Sequence, residues 1–131
     1  MRGNSLPQSS GGKSWRDGHS FRPHERVRRS ADFQRVKKAG KRARTLHFGL
    51  NFIANGFEHH RLGLVVQKRF WPAVRRNRIK RVIREWFRLN KGRIPGPGKD
   101  IVVIARPGAE TLSPADLLRE FTDVFINGKS N

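Results

Sequence analysis

The sequence predicts a mixed α+β fold, and three observations carry that prediction. Residues 46–52 and 61–69 alternate in hydrophobicity as strands do; residues 75–93 form a strongly basic amphipathic helix; and a β-branched run at 101–105 precedes a second amphipathic helix. A length of 131 residues suits a single domain with a modest core.

Residues 1–20 hold five Ser and four Gly, with Met1, Leu6 and Trp15 as the sizeable apolar groups and no period among them. This composition predicts a disordered basic tail, leaving residues 21–131 as the folded domain. Ser30 is a good N-cap for a short helix with Asp32 in its first turn, Phe33 and Val36 on one side and Gly40 as its stop. Leu46, Phe48, Leu50 and Phe52 then alternate with His47, Gly49 and Asn51, which predicts a strand with one buried face, ending at the Asn55-Gly56 turn. Arg61–Arg69 predicts the next strand, with Leu62, Leu64 and Val66 on one face, and an antiparallel hairpin is the natural join between the two.

Between Arg75 and Arg93 lie nine basic residues and one acid, Glu85. At about 100° per residue, Ile79, Val82, Ile83, Trp86 and Leu89 share one arc, and Arg76, Lys80, Arg81, Arg84, Arg88 and Lys91 the other, with Asn77 at its middle. Pro72 suits the start of this helix and Gly92 its end. Solvated helices usually mix both signs of charge; this one does not, so its cationic arc fits a polyanion. The segment Arg93–Gly98 is a connection rich in Pro and Gly, and Ile101–Ala105 reads as a strand covered on both faces, parallel to its predecessor across the helix. Ser113, Pro114 and Asp116 start a last helix whose stripe of Leu117, Leu118, Phe121, Val124 and Phe125 is a packing face.

The chain carries 29 basic against 10 acidic residues, a net charge of +19 and a sequence pI near 11.9. Such a chain binds phosphates through counterion release. Its longest aliphatic runs are too short to span a membrane, and the reading is a soluble cytoplasmic protein. Zero cysteines exclude disulfides, thiolate zinc sites and thiol nucleophiles. The five histidines form no zinc-binding HExxH pattern, and His59-His60 reads as loop. No phosphate loop and no nucleophile elbow is present, and Glu58, Asp100 and Glu110 read as turn or connection residues with no cluster for a two-metal site. From residues alone, this is an RNA or DNA binder without catalytic equipment. A DNA repressor would need its recognition helix after another helix, and here strands flank it. A membrane-surface helix would need a free apolar face, which the core claims. A ribosomal protein is the remaining rival.

The stretch Arg76-Asn77-Arg78-Ile79-Lys80-Arg81-Val82-Ile83-Arg84-Glu85, followed by Phe87-Arg88, resembles the signature helix of the protein subunit of bacterial ribonuclease P. Residues 61–69, 100–106 and 28–33 resemble its flanking strands and first helix, in order, so the resemblance covers about residues 24–127. It implies an αβββαβα two-layer sandwich of the ribosomal protein S5 domain 2-like type, with a further strand around 41–45 and a left-handed βαβ crossover against the usual right-handed rule. It also implies a partner, the catalytic RNA, which with its own Mg2+ would hydrolyse precursor tRNA to remove the 5′ leader; the protein would bind no cofactor and no small-molecule substrate. On this resemblance Lys68, Arg69, Arg75, Arg76, Asn77, Arg78, Lys80, Arg81, Arg84 and Arg88 would face RNA, and Glu85 would order a neighbouring Arg. The single-stranded leader would lie in a cleft at Phe33, Lys37, Phe48 and Asn51. Phe33, beside Val36, suits either core or base stacking. Lys37 and Asn51 stand where some family members have aromatics, and Trp71 where many have Gly, so leader contacts here would be more electrostatic or would use Phe48 or Trp71.

Overall fold

A computed structural model describes residues 22–125, so the predicted tail at 1–20 lies outside the described residues. Helix α1 spans Ser30–Ala39, strands β1 Lys41–Arg44, β2 Phe48–Ala54 and β3 Arg61–Val65, helix α2 Ala73–Asn90, strand β4 Lys99–Ala105 and helix α3 Pro114–Phe125. This is the predicted αβββαβα order. Short 3-10 turns at Pro23–Glu25, Lys91–Arg93 and Ala109–Thr111 join the elements.

The sheet order is β1-β2-β4-β3, which corrects the expected β2–β3 hairpin. The hairpin is instead β1–β2, closed by Thr45, whose N–H donates to Phe48 O at 2.9 Å and whose Oγ1 accepts from Phe48 N at 3.1 Å. Strand β4 inserts between β2, antiparallel, and β3, parallel. Its run Ile101-Val102-Val103 is buried on both faces, and only a central position covers both. The β2–β3 loop therefore crosses the end of β4, where Gly98 N donates to Phe57 O at 3.2 Å. Beyond β3 the extended segment at Arg26-Val27 adds a short parallel pairing, with Val27 N donating to Leu62 O at 2.9 Å.

Strand parity divides the side chains between two faces. Phe48, Leu50, Leu62, Ile101, Val103 and Ala105 face α2 and α3 and form the main core with Ile79, Ile83, Trp86, Phe87, Leu117, Phe121 and Phe125. Phe121 sits edge-on to both Phe48 and Trp86, each at 4.9 Å. The opposite face is partly covered by α1 through Val36. Gly40 follows α1 in an extended conformation, and the position takes only glycine, since a Cβ there would meet Val36 O at 2.5 Å and Phe52 O at 2.8 Å.

Four local expectations change. Arg29, not Ser30, is the residue before the first turn of α1, and no side chain caps it. Leu46 lies at the β1–β2 turn and is 71% exposed, outside the strand. Leu89 is 48% exposed while Phe87 is fully buried, so the apolar arc of α2 is turned toward Phe87. Asp100 is not a connection residue: it is the second residue of β4 and fully buried. The Ser113 cap is as expected, with Asp116 N donating to Ser113 Oγ at 3.1 Å and Ser113 N to Asp116 Oδ2 at 3.3 Å.

Candidate nucleic-acid interface

The apolar arc of α2 is anchored by Ile79, Ile83, Trp86 and Phe87, which leaves the opposite arc in solvent. Asn77, Arg81 and Arg84, with Glu85 and Arg88, line an open depression of about 330 Å3 on that arc. Glu85 accepts from Arg88 Nε at 3.0 Å and Nη2 at 2.6 Å, one turn along the helix. The Arg88 hydrogen bond, foremost, holds the Glu85 carboxyl below its ordinary range. Burial, and then the charge of Arg26, lower the pKa of Arg84 from the guanidinium value. Cations are thus crowded where α2 meets the Arg26 segment, and a phosphate would relieve the crowding.

The remaining predicted RNA-facing residues distribute around this centre. Lys68 and Arg69 are exposed in the turn before α2; Arg69 Nε donates to Gln67 Oε1 at 2.8 Å and its guanidinium lies 4.7 Å over the Phe70 ring. Arg75 and Arg78 flank the Ala109–Thr111 turn, where Arg78 Nη1 donates to Glu110 O at 3.2 Å and Arg75 adds its charge beside the Glu110 carboxyl. Lys80 is half-buried. Arg76 is half-buried as well, and its Nε is enclosed without a hydrogen-bond partner.

Of the residues expected at the leader cleft, Phe33 and Lys37 lie on α1, which packs against β2 and β4 on the other face of the sheet, and Asn51 lies on β2 opposite Arg42 of β1 and Val102 of β4. Gly49, Ile104 and Val65 share one register row. Phe33 is half-buried, its ring seated over Gly63: a Cβ on Gly63 would lie 2.8 Å from two ring carbons. Arg42 Nη2 donates to Lys37 O at 3.3 Å, tying β1 to the end of α1. Phe48 does not share this face. Phe48 and Asn51 are three positions apart on one strand, so they point to opposite faces, and Phe48 is 1% exposed against Phe121. Trp71 is also withdrawn, buried with Nε1 donating to Glu110 Oε1 at 2.7 Å. Sequence reading missed Arg42 and Arg44, which parity places on the same face as Asn51 and Gly49; only the cross-strand register brings them there.

Four of the carboxylates are held in ion pairs with basic side chains. Asp100 binds Arg61 and Arg35, Glu25 binds Lys91, Glu85 binds Arg88, and Glu120 binds His47 at 2.7 Å. Among the described residues no three His, Asp or Glu side chains are grouped to hold a metal ion. No helix among them is long and apolar enough to cross a membrane.

Residues 21–128 match the Ribonuclease P family. The ribonuclease P protein component of Syntrophobacter fumaroxidans is 64% identical over 112 residues, covering 86% of this chain and 94% of that one. That of Thermotoga maritima is 48% identical over 87 residues, 66% and 74% of the two chains. The solved Thermotoga maritima ribonuclease P protein superposes with a TM-score of 0.72 at 36% identity, covering 81% of this chain and 99% of that one. The Staphylococcus aureus protein gives 0.71 at 36% identity, covering 81% and 96%.

Proposed function

The chain belongs to the ribonuclease P protein family, whose work is transfer-RNA processing, and from that premise we propose how its surfaces divide the task. The cationic arc of α2, centred on Asn77, Arg81 and Arg84, docks on the catalytic RNA of the ribonucleoprotein. Guanidinium groups neutralise phosphates there and Asn77 hydrogen-bonds backbone or sugar. Lys68, Arg69, Arg75, Arg78, Lys80 and Arg88 extend the same contact; planar guanidinium forks bind phosphate in a bidentate way that Lys cannot. The cleft between α1 and the sheet receives the single-stranded 5′ leader of precursor tRNA in the cytoplasm. Phe33 supplies a ring edge, Lys37 charge and Asn51 hydrogen bonds, with Arg42 and Arg44 beside them. Hydrolysis belongs to the RNA subunit and its Mg2+, and the protein raises affinity for substrate and for the ions the RNA uses.

The observation that carries this reading is the solvent face of α2, strongly cationic with Glu85 as its single acid, on a helix whose other face is locked into the core. That no three His, Asp or Glu side chains are grouped for a metal among the described residues supports assigning the chemistry to the RNA. Reconstitution tests it: protein and its ribonuclease P RNA are mixed and precursor cleavage is followed at low magnesium. Stimulation is expected with RNA present and no cleavage by protein alone. An RNA indifferent to added protein would sink the proposal.

A further inference from the structure

Helix α1 has two flanks along the sheet. Phe33 and Lys37 edge the cleft on one; Asp32 and Arg35, on the other, border a second cavity of about 500 Å3 between residues 23–29 and the β2–β3 loop. Five arginines, at 26, 28, 29, 35 and 61, line this cavity against a single lining carboxylate, Asp32. Two of them are held from behind: buried Asp100 takes Arg61 and Arg35. Arg28 and Arg29 have no side-chain hydrogen bond or ion pair among the described residues. Arg28 is exposed for a local reason, because Val27 points into the sheet over Gly63 and the residues on either side of it, Arg26 and Arg28, must point out; Arg29 is exposed at the position before the first turn of α1.

The cavity also has an aromatic wall. Phe57 is 48% exposed, its ring stacked on His59 at 5.3 Å and 15°, with the Arg61 guanidinium 5.1 Å from its centroid. His59 in turn meets the His24 ring edge-on at 4.9 Å. Arg61 is fixed by Asp100, and Phe57 N donates to Asn55 Oδ1 at 2.8 Å, so the wall is set before any ligand arrives. Unpartnered guanidinium groups beside a preset ring are the chemistry that takes one unpaired nucleotide, phosphate on the arginines and base on the ring.

We propose that this cavity is a second nucleotide site, separate from α2 and from the cleft, in which Arg28 and Arg29 bind a phosphate of single-stranded RNA and the Phe57–His59 pair receives its base. The inference rests on the reading of the chain as an RNA-bound subunit, but not on where α2 or the cleft makes its contacts. The RNA strand comes either from the catalytic RNA or from the precursor leader.

Holoenzyme assembled from the full chain is compared with holoenzymes carrying Arg28→Ala with Arg29→Ala, or Phe57→Ala, over a series of salt concentrations. The arginine pair is expected to make the dependence of log affinity on log salt shallower by roughly 1.4–1.8, two contacts' worth. Phe57→Ala is expected to weaken binding roughly tenfold with the slope unchanged. A loss seen with the catalytic RNA alone assigns the strand to that RNA; a loss seen only with long-leader precursors assigns it to the leader. Arg28→Gln with Arg29→Gln, which keeps side-chain bulk, carries the test if the alanine pair unfolds. Unchanged slope and affinity in both arms, with wild-type thermal unfolding, overturns the site while leaving the functional reading intact. A wild-type protein that ignores the RNA overturns both.

Discussion

Asp100 stands opposite Arg61 in the parallel β3–β4 register and takes both ends of its guanidinium, Nε to Oδ1 at 2.7 Å and Nη2 to Oδ2 at 2.6 Å. Arg35 Nη2 adds a 2.6 Å contact to Oδ2, and Asn55 Nδ2 a 3.0 Å hydrogen bond to Oδ1. One fully buried carboxylate therefore joins α1, β3, β4 and the β2–β3 loop. Removing it strands two arginines beside the core. Asp100→Ala is expected to cost about 3–5 kcal/mol, read as a lower denaturant midpoint.

The same group sets an acid limit. Burial, the largest single influence, pushes the Asp100 carboxyl up, but the hydrogen bonds of Arg61 and Asn55 and the charges of Arg61 and Arg35 together outweigh it, leaving the pKa below its ordinary 3.8. A depressed carboxyl contributes stability that is fully present above 3.8 and is lost as pH falls through the folded value. The stability gap between wild type and Asp100→Asn should therefore narrow below pH 3.8 and stay constant above it. A gap that is flat throughout would remove Asp100 from the acid transition.

His60 acts at milder pH. Lys99 N donates to its Nδ1 at 3.0 Å, which places the ring proton on Nε2, facing Ile94 O at 3.2 Å. Burial lowers its pKa from 6.5; the Ile94 hydrogen bond opposes this, and the charges of Lys99 and His59 reinforce it. The unfolded chain then binds the proton more readily than the folded one, so stability falls as pH drops below 6.5 toward the folded value. Urea unfolding across that window should slope in wild type and flatten in His60→Gln.

Gly63→Ala tests the seat of Phe33. The new methyl would lie 2.8 Å from the ring and 3.0 Å from Val27 Cβ, closer than either can stay. Expected are a loss of about 1–3 kcal/mol and a displaced Phe33. Affinity for long-leader precursor over short-leader precursor should drop in proportion. An unchanged leader preference would take Phe33 out of the cleft's function.

Periodicity made the elements legible, and parity could have shown more. Alternation from Phe48 to Phe52 fixes that Phe48 and Asn51 face opposite ways, so the pairing of both in one cleft contradicted the strand that carried them. Strand order was hidden, because the Asn55-Gly56 signal marks a turn without saying whether its two strands are neighbours. The doubly apolar run of β4 held the clue, since such a strand belongs in the middle. Strand β1, Lys41-Arg42-Ala43-Arg44, has one apolar residue and reaches the sheet as an edge, which no pattern within it announces. The neighbours of Asp100 hide its role: after Pro97-Gly98-Lys99 an acid looks like loop, and only the cross-strand position of Arg61 makes it the hub. Arg28 and Arg29 were legible as charge but not as a site, because the cavity wall comes from residues 55–61.

Within α2 the geometry separates arginines that the helical wheel groups together. Arg81 and Arg84 border the open depression with Asn77, whereas Arg76 is half-buried with Nε enclosed. Arg81→Ala with Arg84→Ala should leave thermal unfolding nearly unchanged and flatten the salt dependence of RNA binding by roughly 0.7–0.9 log units per lost contact. Arg76→Ala should change the slope less, while its effect on stability reflects the stem packed along the core. Equal slope changes from Arg76 and Arg84, measured singly in folded variants, would mean that the helix turns its Arg76 flank to the RNA as well, and would move the centre of the interface toward the turn at Lys68 and Arg69.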